Sequence, residues 1–314
     1  MPQPRVSVIM NCLNGERYLR EAIDSVYAQT FGDWEIVFWD NASTDASATI
    51  AKGHDSRLRY FRGETTVPLG AARNAALARA NGEFIAFLDT DDRWLPAKLA
   101  AQVEFFRTHP AVDFLYSNFR IVREPSARRY VGYRKRQPEG RVFSAFLRHY
   151  PVNLQTVMLR KAALESMDSL FDPNFDVSEE YDLFIRMLIT RQAGYLHEPL
   201  VQYRIHQNMA SIRRFERYPV ENRLILGKLR VLDPALDEKY RNEVRYLEAK
   251  IGYWEAAASM RRGDLAGARQ DLAPHKSVTL VFLALYCATF LPPAVWNKLH
   301  ELRFALKSPV SPAE

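Results

Sequence analysis

The feature that most constrains this chain is the alternation of short apolar runs and helical segments over its first 120 residues. The apolar runs lie at Val6–Met10, Trp34–Trp39, Leu58–Phe61, Phe84–Leu88 and Asp113–Val122. Between them, residues 14–29 carry apolar side chains at helical spacing, residues 70–80 are rich in alanine, and Pro96 and Pro110 bracket a further helix. This alternation predicts an α/β fold with parallel strands joined by right-handed crossovers.

Polar residues follow three of these strands directly. Asn11 follows the first strand, Asp40 the second, and the acidic run Asp89–Asp92 the fourth. Ligands of open α/β sheets bind beyond the carboxyl ends of the strands. We therefore expect these residues to border a binding site.

The second half of the chain changes character. Residues 150–206 predict a strand at Thr156–Leu159, a helix at Glu179–Thr190 and a strand at Tyr195–Ile205. From about residue 215 the pattern is helical, and Gly263-Asp264 joins two helices into a predicted hairpin. We expect an α/β domain over residues 1–210 and a helical region over residues 211–314.

Composition limits the setting in which this chain works. Hydrophobic residues make up 47% of its 314 residues, which is enough for a packed core. Its two cysteines offer neither a disulfide framework nor zinc spacing, and this favours a reducing, cytoplasmic compartment. No secretory signal pattern opens the chain. The uncharged stretch Ser277–Trp296 is cut by Pro292 and Pro293, so it is too short to cross a bilayer.

The net charge of +6 is unevenly distributed. Charges balance over residues 1–200, and the excess lies in the helical remainder. A basic cluster between Arg120 and Arg148 predicts attraction to an anionic acceptor or lipid surface, although a solvated arginine-rich loop explains it equally well. The terminal segment WNKLHELRFALK suits either an interfacial membrane helix or a helix packed on the main domain. No nucleic-acid motif accompanies the charge, so nucleic acid is not an expected partner.

The segment FIAFLDTDDRW, Phe84 to Trp94, is the strongest single signal for chemistry. Residues two apart in an extended chain point to the same side, so Asp89 and Asp91 can face one site. Crowded carboxylates repel one another, and Mg²⁺ or Mn²⁺ held by them and by substrate phosphates would keep them ionised. The alternative is an acidic surface turn in which Asp92 caps the following helix.

Together with the segments before and after this acidic turn, residues 5 to 206 resemble the family 2 glycosyltransferases of GT-A fold. The resemblance is carried by four motifs in order: VSVIMNCLNGERYLREAIDSVYAQTF, EIVFWDNASTDAS, GAARNAAL and GEFIAFLDTDDRW. It implies a mixed, mostly parallel sheet flanked by helices, here with an α-helical C-terminal extension. A bacterial enzyme of polysaccharide or other cell-surface glycan synthesis is the expected type.

The resemblance also implies roles for residues of the first half. Asp40 takes the place of an acid that contacts the nucleotide base, or else caps the short helix after it. Arg73 matches a basic residue near the nucleotide, or else is an exposed helical arginine. Asp89 is expected near the ribose and metal, Asp91 as the principal metal ligand, and Asn11 in the donor pocket.

Two further roles fall in the second half. SEEYDLFIRM resembles the family's acidic pair at the start of a helix, where one carboxylate is the catalytic base. Glu180 takes that place and Glu179 is the alternative; both could instead only favour the helix dipole. QYRIHQN resembles a segment whose histidine approaches the metal, which makes His206 a candidate ligand or a structural histidine.

We therefore expect an inverting, metal-dependent glycosyltransferase that uses a nucleotide-diphosphate sugar, with a UDP-sugar as the preferred donor. A glycan or polyprenyl-linked hydroxyl would be the acceptor, and the enzyme would lie in the cytoplasm or on the inner membrane's cytoplasmic face. A non-catalytic nucleotide-sugar-binding or scaffold protein of the same fold is one alternative. A sugar-phosphate nucleotidyltransferase is another, although MNCLNG has one glycine where a phosphate loop needs more.

Overall fold

A computed structural model of the chain describes residues 3–124, 128–207, 209, 213–291 and 296. Nine strands lie within these residues: β1 Val6–Cys12, β2 Trp34–Asp40, β3 Leu58–Arg62, β4 Phe84–Phe87, β5 Arg93–Trp94, β6 Phe114–Arg123, β7 Arg128–Val131, β8 Met158–Arg160 and β9 Ala193–Ile205. The α/β part contains seven helices: α1 Glu16–Tyr27, α2 Ser47–Lys52, α3 Leu69–Leu77, α4 Lys98–Thr108, α5 Phe143–Arg148, α6 Lys161–Glu165 and α7 Glu179–Met187. The remaining helices are α8 Arg217–Leu232, α9 Leu236–Lys239, α10 Arg241–Arg261, α11 Leu265–Leu272 and α12 Leu280–Ala288.

The strands form one mixed sheet in the order β3-β2-β1-β4-β8-β6-β9-β5, with β7 paired to β6. The first four run parallel, as the alternation predicts. β8 is antiparallel to both β4 and β6, so it separates the parallel half from the parallel pair β6 and β9. The predicted mixed, mostly parallel α/β architecture with C-terminal helices is confirmed.

Two apolar cores cover the two faces of the sheet. Successive residues of β1 show the division, because Val8 and Met10 face the core under α1 and α4 while Ile9 faces the other core. Strands buried on both faces read as continuous apolar runs, which is why β1 and β2 lack polar alternation. Their burial places the polar residues at their carboxyl ends against one edge of the sheet.

The C-terminal helices share a core with the α/β part. Apolar residues of α8 and α10, among them Ile225, Leu229 and Leu247, belong to the same cluster as Ile9 and Phe87. A separate cluster of α10, α11 and α12 lies beyond. The predicted helical hairpin is present as α10 and α11. Packing is therefore continuous across the expected boundary near residue 210.

Several local predictions differ from the structure. The strand predicted at Thr156–Leu159 begins with a 3₁₀ turn, Leu154–Thr156, and continues as β8. Part of the basic cluster pairs as the β6–β7 hairpin instead of forming a loop. No helix in the described part of the chain is both long enough and apolar enough to cross a membrane. The terminal segment WNKLHELRFALK, expected to be either an interfacial membrane helix or a helix packed on the main domain, falls outside the described residues, apart from Trp296.

Candidate active site

A cavity of about 540 Å³ opens at the carboxyl ends of β1 and β4. Its walls come from the loops after these strands, the 3₁₀ turn, the start of α7, the end of β9 and α8. Seven of the predicted site residues line it: Asn11, Arg73, Asp89, Asp91, Glu179, Glu180 and His206. Residues from sequence positions 11 to 206 therefore meet in one place.

The acidic turn presents a cluster of oxygen ligands. One carboxylate oxygen each from Asp89, Asp91 and Asp92 lies within 4.8 Å of the others. Burial, and then the charge of Asp89, raise the pKa of Asp91. A divalent cation would relieve both effects, and carboxylate oxygens are ligands that Mg²⁺ and Mn²⁺ prefer. The donor set of this turn thus fits such an ion.

Asp92 has a different position from its two neighbours. It is buried, and its Oδ1 accepts a hydrogen bond of 2.7 Å from the backbone N–H of Arg204 in β9. Burial raises its pKa well above the ordinary value. The alternative in which Asp92 caps the next helix is wrong, because Ala97 precedes α4 and Asp92 instead ties the turn to β9.

His206 follows β9 and reaches back to the same turn. Its Nε2 lies 2.9 Å from Oδ2 of Asp91, and its ring packs against that of Tyr18. An imidazole in this place can orient Asp91 or join it as a ligand. The geometry therefore brings His206 into the acidic cluster.

Arg73 joins the acidic turn to the start of α7. Only 3% of the residue is exposed. Its Nη2 donates to Asp89 at 3.0 Å, and its Nη1 donates to Glu179. Although burial opposes its charge, the nearby carboxylates raise the pKa of the guanidinium further above its ordinary value. The exposed-arginine alternative is therefore wrong.

Gln155 gives Asp89 a second fixed partner. Its Oε1 accepts from the backbone N–H of Asp89 at 2.8 Å, and its Nε2 donates to Oδ2 of the same residue. Asp89 is held from both sides, by Arg73 and by Gln155. Held in this way, its carboxylate keeps a defined orientation toward the cavity.

The two glutamates at the start of α7, Glu179 and Glu180, make different contacts. Glu179 is buried and engaged by Arg73. Glu180 lines the cavity, and its carboxylate accepts no hydrogen bond from the residues that the structure describes. Burial, and then the charge of Glu179, raise the pKa of Glu180 to about 8. A carboxylate with a pKa near neutrality can accept a proton from an incoming hydroxyl.

A buried carboxylate from the C-terminal helices holds the segment before this pair. Glu221 of α8 accepts hydrogen bonds from three consecutive backbone N–H groups, those of Asp176 at 2.8 Å, Val177 at 3.1 Å and Ser178 at 2.9 Å. Glu221 itself is fully buried. Because Ser178 immediately precedes α7, these hydrogen bonds fix the position of the start of α7 and therefore the position of Glu180.

Asp40 lies apart from the cavity lining. Its carboxylate is fully buried and accepts from the backbone N–H of Ser43 at 2.7 Å, from the Tyr60 hydroxyl and from Arg62 at 2.6 Å. The helix-cap alternative is wrong, because α2 begins at Ser47 and no side chain caps it. Base contact by Asp40 stays a prediction, and it would require one of these partners to be exchanged.

The loops after β1 and β2 are joined by side chains. The Oδ1 of Asn14 accepts from the N–H of Thr44, while the N–H of Asn14 donates to the Ser43 hydroxyl. Asn14 has a φ of 54°, a conformation that is uncommon outside glycine and often found at functional loops. A Cβ on Gly15 would lie 2.9 Å from Oγ1 of Thr90, so glycine lets this loop approach the acidic turn closely without displacing that side chain.

Sequence reasoning missed several residues of this site. Gln155, Asp176, Tyr218 and Glu221 carry no motif, and the last two lie in the helical region that was expected over residues 211–314. A partial signal exists for Gln155, because NLQT places polar residues directly before an apolar strand. For Glu221 there is no local signal, since a glutamate on a helix is ordinarily solvated.

Comparison with known proteins agrees with this geometry. Residues 7–166 match the family described as Glycosyl transferase family 2. The UDP-Glc:alpha-D-GlcNAc-diphosphoundecaprenol beta-1,3-glucosyltransferase WfgD of Escherichia coli is 29% identical over 215 residues, 67% of this chain and 81% of WfgD. The putative glycosyltransferase EpsE of Bacillus subtilis is 30% identical over 231 residues, 71% of this chain and 81% of EpsE.

Solved structures share the fold at lower identity. S. aureus TarS in complex with UDP-GlcNAc superposes with a TM-score of 0.66 at 21% identity, covering 95% of this chain and 92% of that one. The Pyrobaculum calidifontis mannosyltransferase PcManGT, in complex with GDP-Man and Mn²⁺, has a TM-score of 0.60 at 19% identity, covering 94% of this chain and 84% of that one. The family match favours glycosyl transfer over the nucleotidyltransferase alternative. From the motifs, the shared cavity and these relatives together, the chain belongs to glycosyl transferase family 2 and is a glycosyltransferase.

Proposed function

We propose that this enzyme transfers a sugar, with inversion, from a UDP-sugar to a hydroxyl of a lipid-linked glycan. The observation that carries the proposal is that one cavity contains both Asp89 and Asp91 of the acidic turn and the carboxylate of Glu180, which accepts no hydrogen bond from any described residue. The donor class is supported by TarS, whose structure holds UDP-GlcNAc. The acceptor class is supported by WfgD, which by name acts on a diphosphoundecaprenol-linked sugar.

The proposed chemistry uses one group as base and a second set to hold the donor. Glu180 takes the proton of the acceptor hydroxyl as its oxygen bonds to the anomeric carbon. The bond from that carbon to the diphosphate oxygen breaks on the opposite face, and the nucleoside diphosphate leaves. Glu179 is the weaker candidate for the base, because Arg73 already occupies its carboxylate.

Asp91 and Asp89, with His206 close by, would hold Mg²⁺ or Mn²⁺. When bound, the ion supplies positive charge that stabilises the departing diphosphate. Arg73 and Gln155 keep Asp89 oriented for this task. A donor-pocket role for Asn11 is supported because its buried Nδ2, at the cavity, has no hydrogen-bond partner within the described part of the chain.

We also propose that the enzyme works at the cytoplasmic surface of the membrane, as a peripheral protein. The outer face of α12 supports this, because Leu280, Val281 and Leu283 are 83%, 53% and 42% exposed. Arg148 and Arg245 line a cavity that includes Thr279, at the start of the same helix. Apolar side chains beside cations suit an interface of anionic lipids. Sedimentation with such vesicles tests this, and Leu280→Ser with Val281→Ser should reduce the bound fraction.

The function is tested by incubating the protein with UDP-sugars and Mn²⁺ and measuring UDP release. Donor hydrolysis or transfer by the wild type is expected, with loss of turnover but retained UDP binding in Glu180→Gln. Asp91→Asn should remove the Mn²⁺-dependent part of thermal stabilisation by UDP. Asp33→Asn, an exposed aspartate before β2, is the matched control. Metal-dependent binding that survives in Asp91→Asn would remove Asp91 from the site.

A further inference from the structure

A second cavity lies beside the catalytic one and is lined mainly by arginine. It encloses about 400 Å³, and its lining includes Arg213, Arg214, Arg217 and Arg261. Among the described residues of the lining, two acids, Asp176 and Glu216, accompany these four cations. Asp176 also lines the catalytic cavity, so the two spaces meet at this residue.

The two acids do not neutralise this cavity. Asp176 is shared by two arginines, with Oδ1 2.7 Å from Arg214 and Oδ2 3.1 Å from Arg217. Glu216 is largely exposed and lies 3.8 Å from Arg262, which is outside the lining. Neither Arg213 nor Arg261 has a carboxylate within ion-pair distance among the residues that the structure describes. Two guanidinium groups are therefore available to an anion.

One of these cations is held in place. The guanidinium of Arg261 lies 4.0 Å from the centre of the Phe215 ring, and Phe215 is buried against α10. Stacking on an aromatic face orients the planar group without using its N–H donors. Arginine so presented binds phosphate oxygens in a paired geometry that lysine cannot provide.

The position of the cavity identifies which substrate it would serve. The donor diphosphate is expected at Asp89 and Asp91, on the β4 side of the catalytic cavity. The second cavity meets the catalytic one at Asp176, in the segment that precedes Glu179 and Glu180. An anion bound there would be close to the proposed base, where the acceptor enters.

We propose that this arginine-lined cavity is a subsite for the diphosphate group of the acceptor. This inference rests on the proposed function, because it concerns the acceptor of the same reaction. The subsite would recognise the link between the sugar and its lipid, leaving the acceptor hydroxyl to reach Glu180. Such recognition would make a diphosphate-linked sugar a better acceptor than the same sugar without the diphosphate.

Binding of decyl diphosphate to the full chain in EDTA tests the subsite directly, because chelation removes the metal on which the donor site is expected to depend. Wild-type protein and Asp91→Asn should bind with the same Kd. Arg213→Gln and Arg261→Gln should each weaken binding by about tenfold or more, since charge-assisted contacts are lost. Arg262→Gln, the neighbouring arginine outside the lining, should change nothing. Thermal melts should show that all variants remain folded.

Three results would overturn the proposal: no binding by the wild type, equal binding by the double Arg213→Gln, Arg261→Gln variant, or loss of binding in Asp91→Asn. Measurements of UDP release and of the acceptor KM distinguish failure of this subsite proposal from failure of the proposed function. The double variant should release UDP from the donor at the wild-type rate while its KM for a diphosphate-linked acceptor rises. Absence of UDP release from the wild type would instead count against the proposed function.

Discussion

Substitution of Glu221 by alanine should both destabilise the protein and displace Glu180, the proposed catalytic base. The change removes the acceptor for three backbone N–H groups and a partner 3.3 Å from Nε of Arg217. Because the site is buried, these donors lose their partner without gaining full hydration. Breaking a buried charged network typically costs about 3–5 kcal/mol.

This cost converts into a measurable change of melting temperature. Unfolding entropy is about 2.1 cal/mol/K per residue, which gives roughly 0.66 kcal/mol/K for this chain. A loss of about 3–5 kcal/mol therefore lowers Tm by roughly 5–8 °C. Glu221→Gln should cost less, because its amide oxygen can still accept from some of the donors. Glu238→Ala, an exposed glutamate of α9, should change the free energy of unfolding by less than about 0.5 kcal/mol.

The activity measurement separates positioning from stability. At a temperature where Glu221→Ala is fully folded, kcat should fall while the donor KM stays near the wild-type value. Glu221→Gln should recover part of that kcat. A Tm within 1 °C of wild type would refute the energetic argument. A wild-type kcat in the folded variant would refute the claim that Glu221 places Glu180.

Further predictions concern three ionisable groups. Arg73→Met should cost about 3–5 kcal/mol in urea unfolding, because Asp89 and Glu179 lose their shared cation; Arg73→Lys should rescue it only in part, since an ammonium cannot bridge both. The kcat/KM of the wild type should fall with unit slope below about pH 8 if Glu180 must be ionised. The pKa of Glu180 is raised from 4.5 to about 8 in the folded protein, so the protonated carboxyl stabilises the wild type at low pH and this stabilisation is lost between about pH 4.5 and 8. The free energy of unfolding of Glu180→Gln relative to wild type should therefore increase over this range and stay constant above it. Lys98 is fully buried, donates to the side-chain oxygen of Gln102, and has a pKa that burial lowers well below the ordinary value. Lys98→Met should therefore change the free energy of unfolding by no more than about 1 kcal/mol.

Much of the fold follows from local pattern. The runs that became β1, β2 and β4 were recognisable because strands buried on both faces leave continuous apolar stretches. The acidic turn was recognisable because it follows such a strand directly. Errors occurred where the pattern is short or mixed, as at the two-residue strand β5 and at the 3₁₀ turn before β8.

The candidate site was only partly predictable for a related reason. Motifs identified residues that belong to one strand end or helix start, such as Asp91 and Glu180. They did not identify partners that are distant in the chain. Gln155 contacts Asp89 across 66 positions, and Glu221 contacts Asp176 across 45. Asp40 illustrates the reverse case, because the motif identified the residue but its carboxylate accepts hydrogen bonds from Tyr60 and Arg62.

The amino-acid sequence alone determined the strand and helix periods, the acidic turn and the acidic pair, because hydrophobic spacing and residue type are local properties. Tertiary structure decided the antiparallel insertion of β8, the bridge formed by Arg73, and the hold of Glu221 on the start of α7. These depend on which elements pack together, and the free energy of that packing is summed over the whole core, so no local segment of the chain contains it.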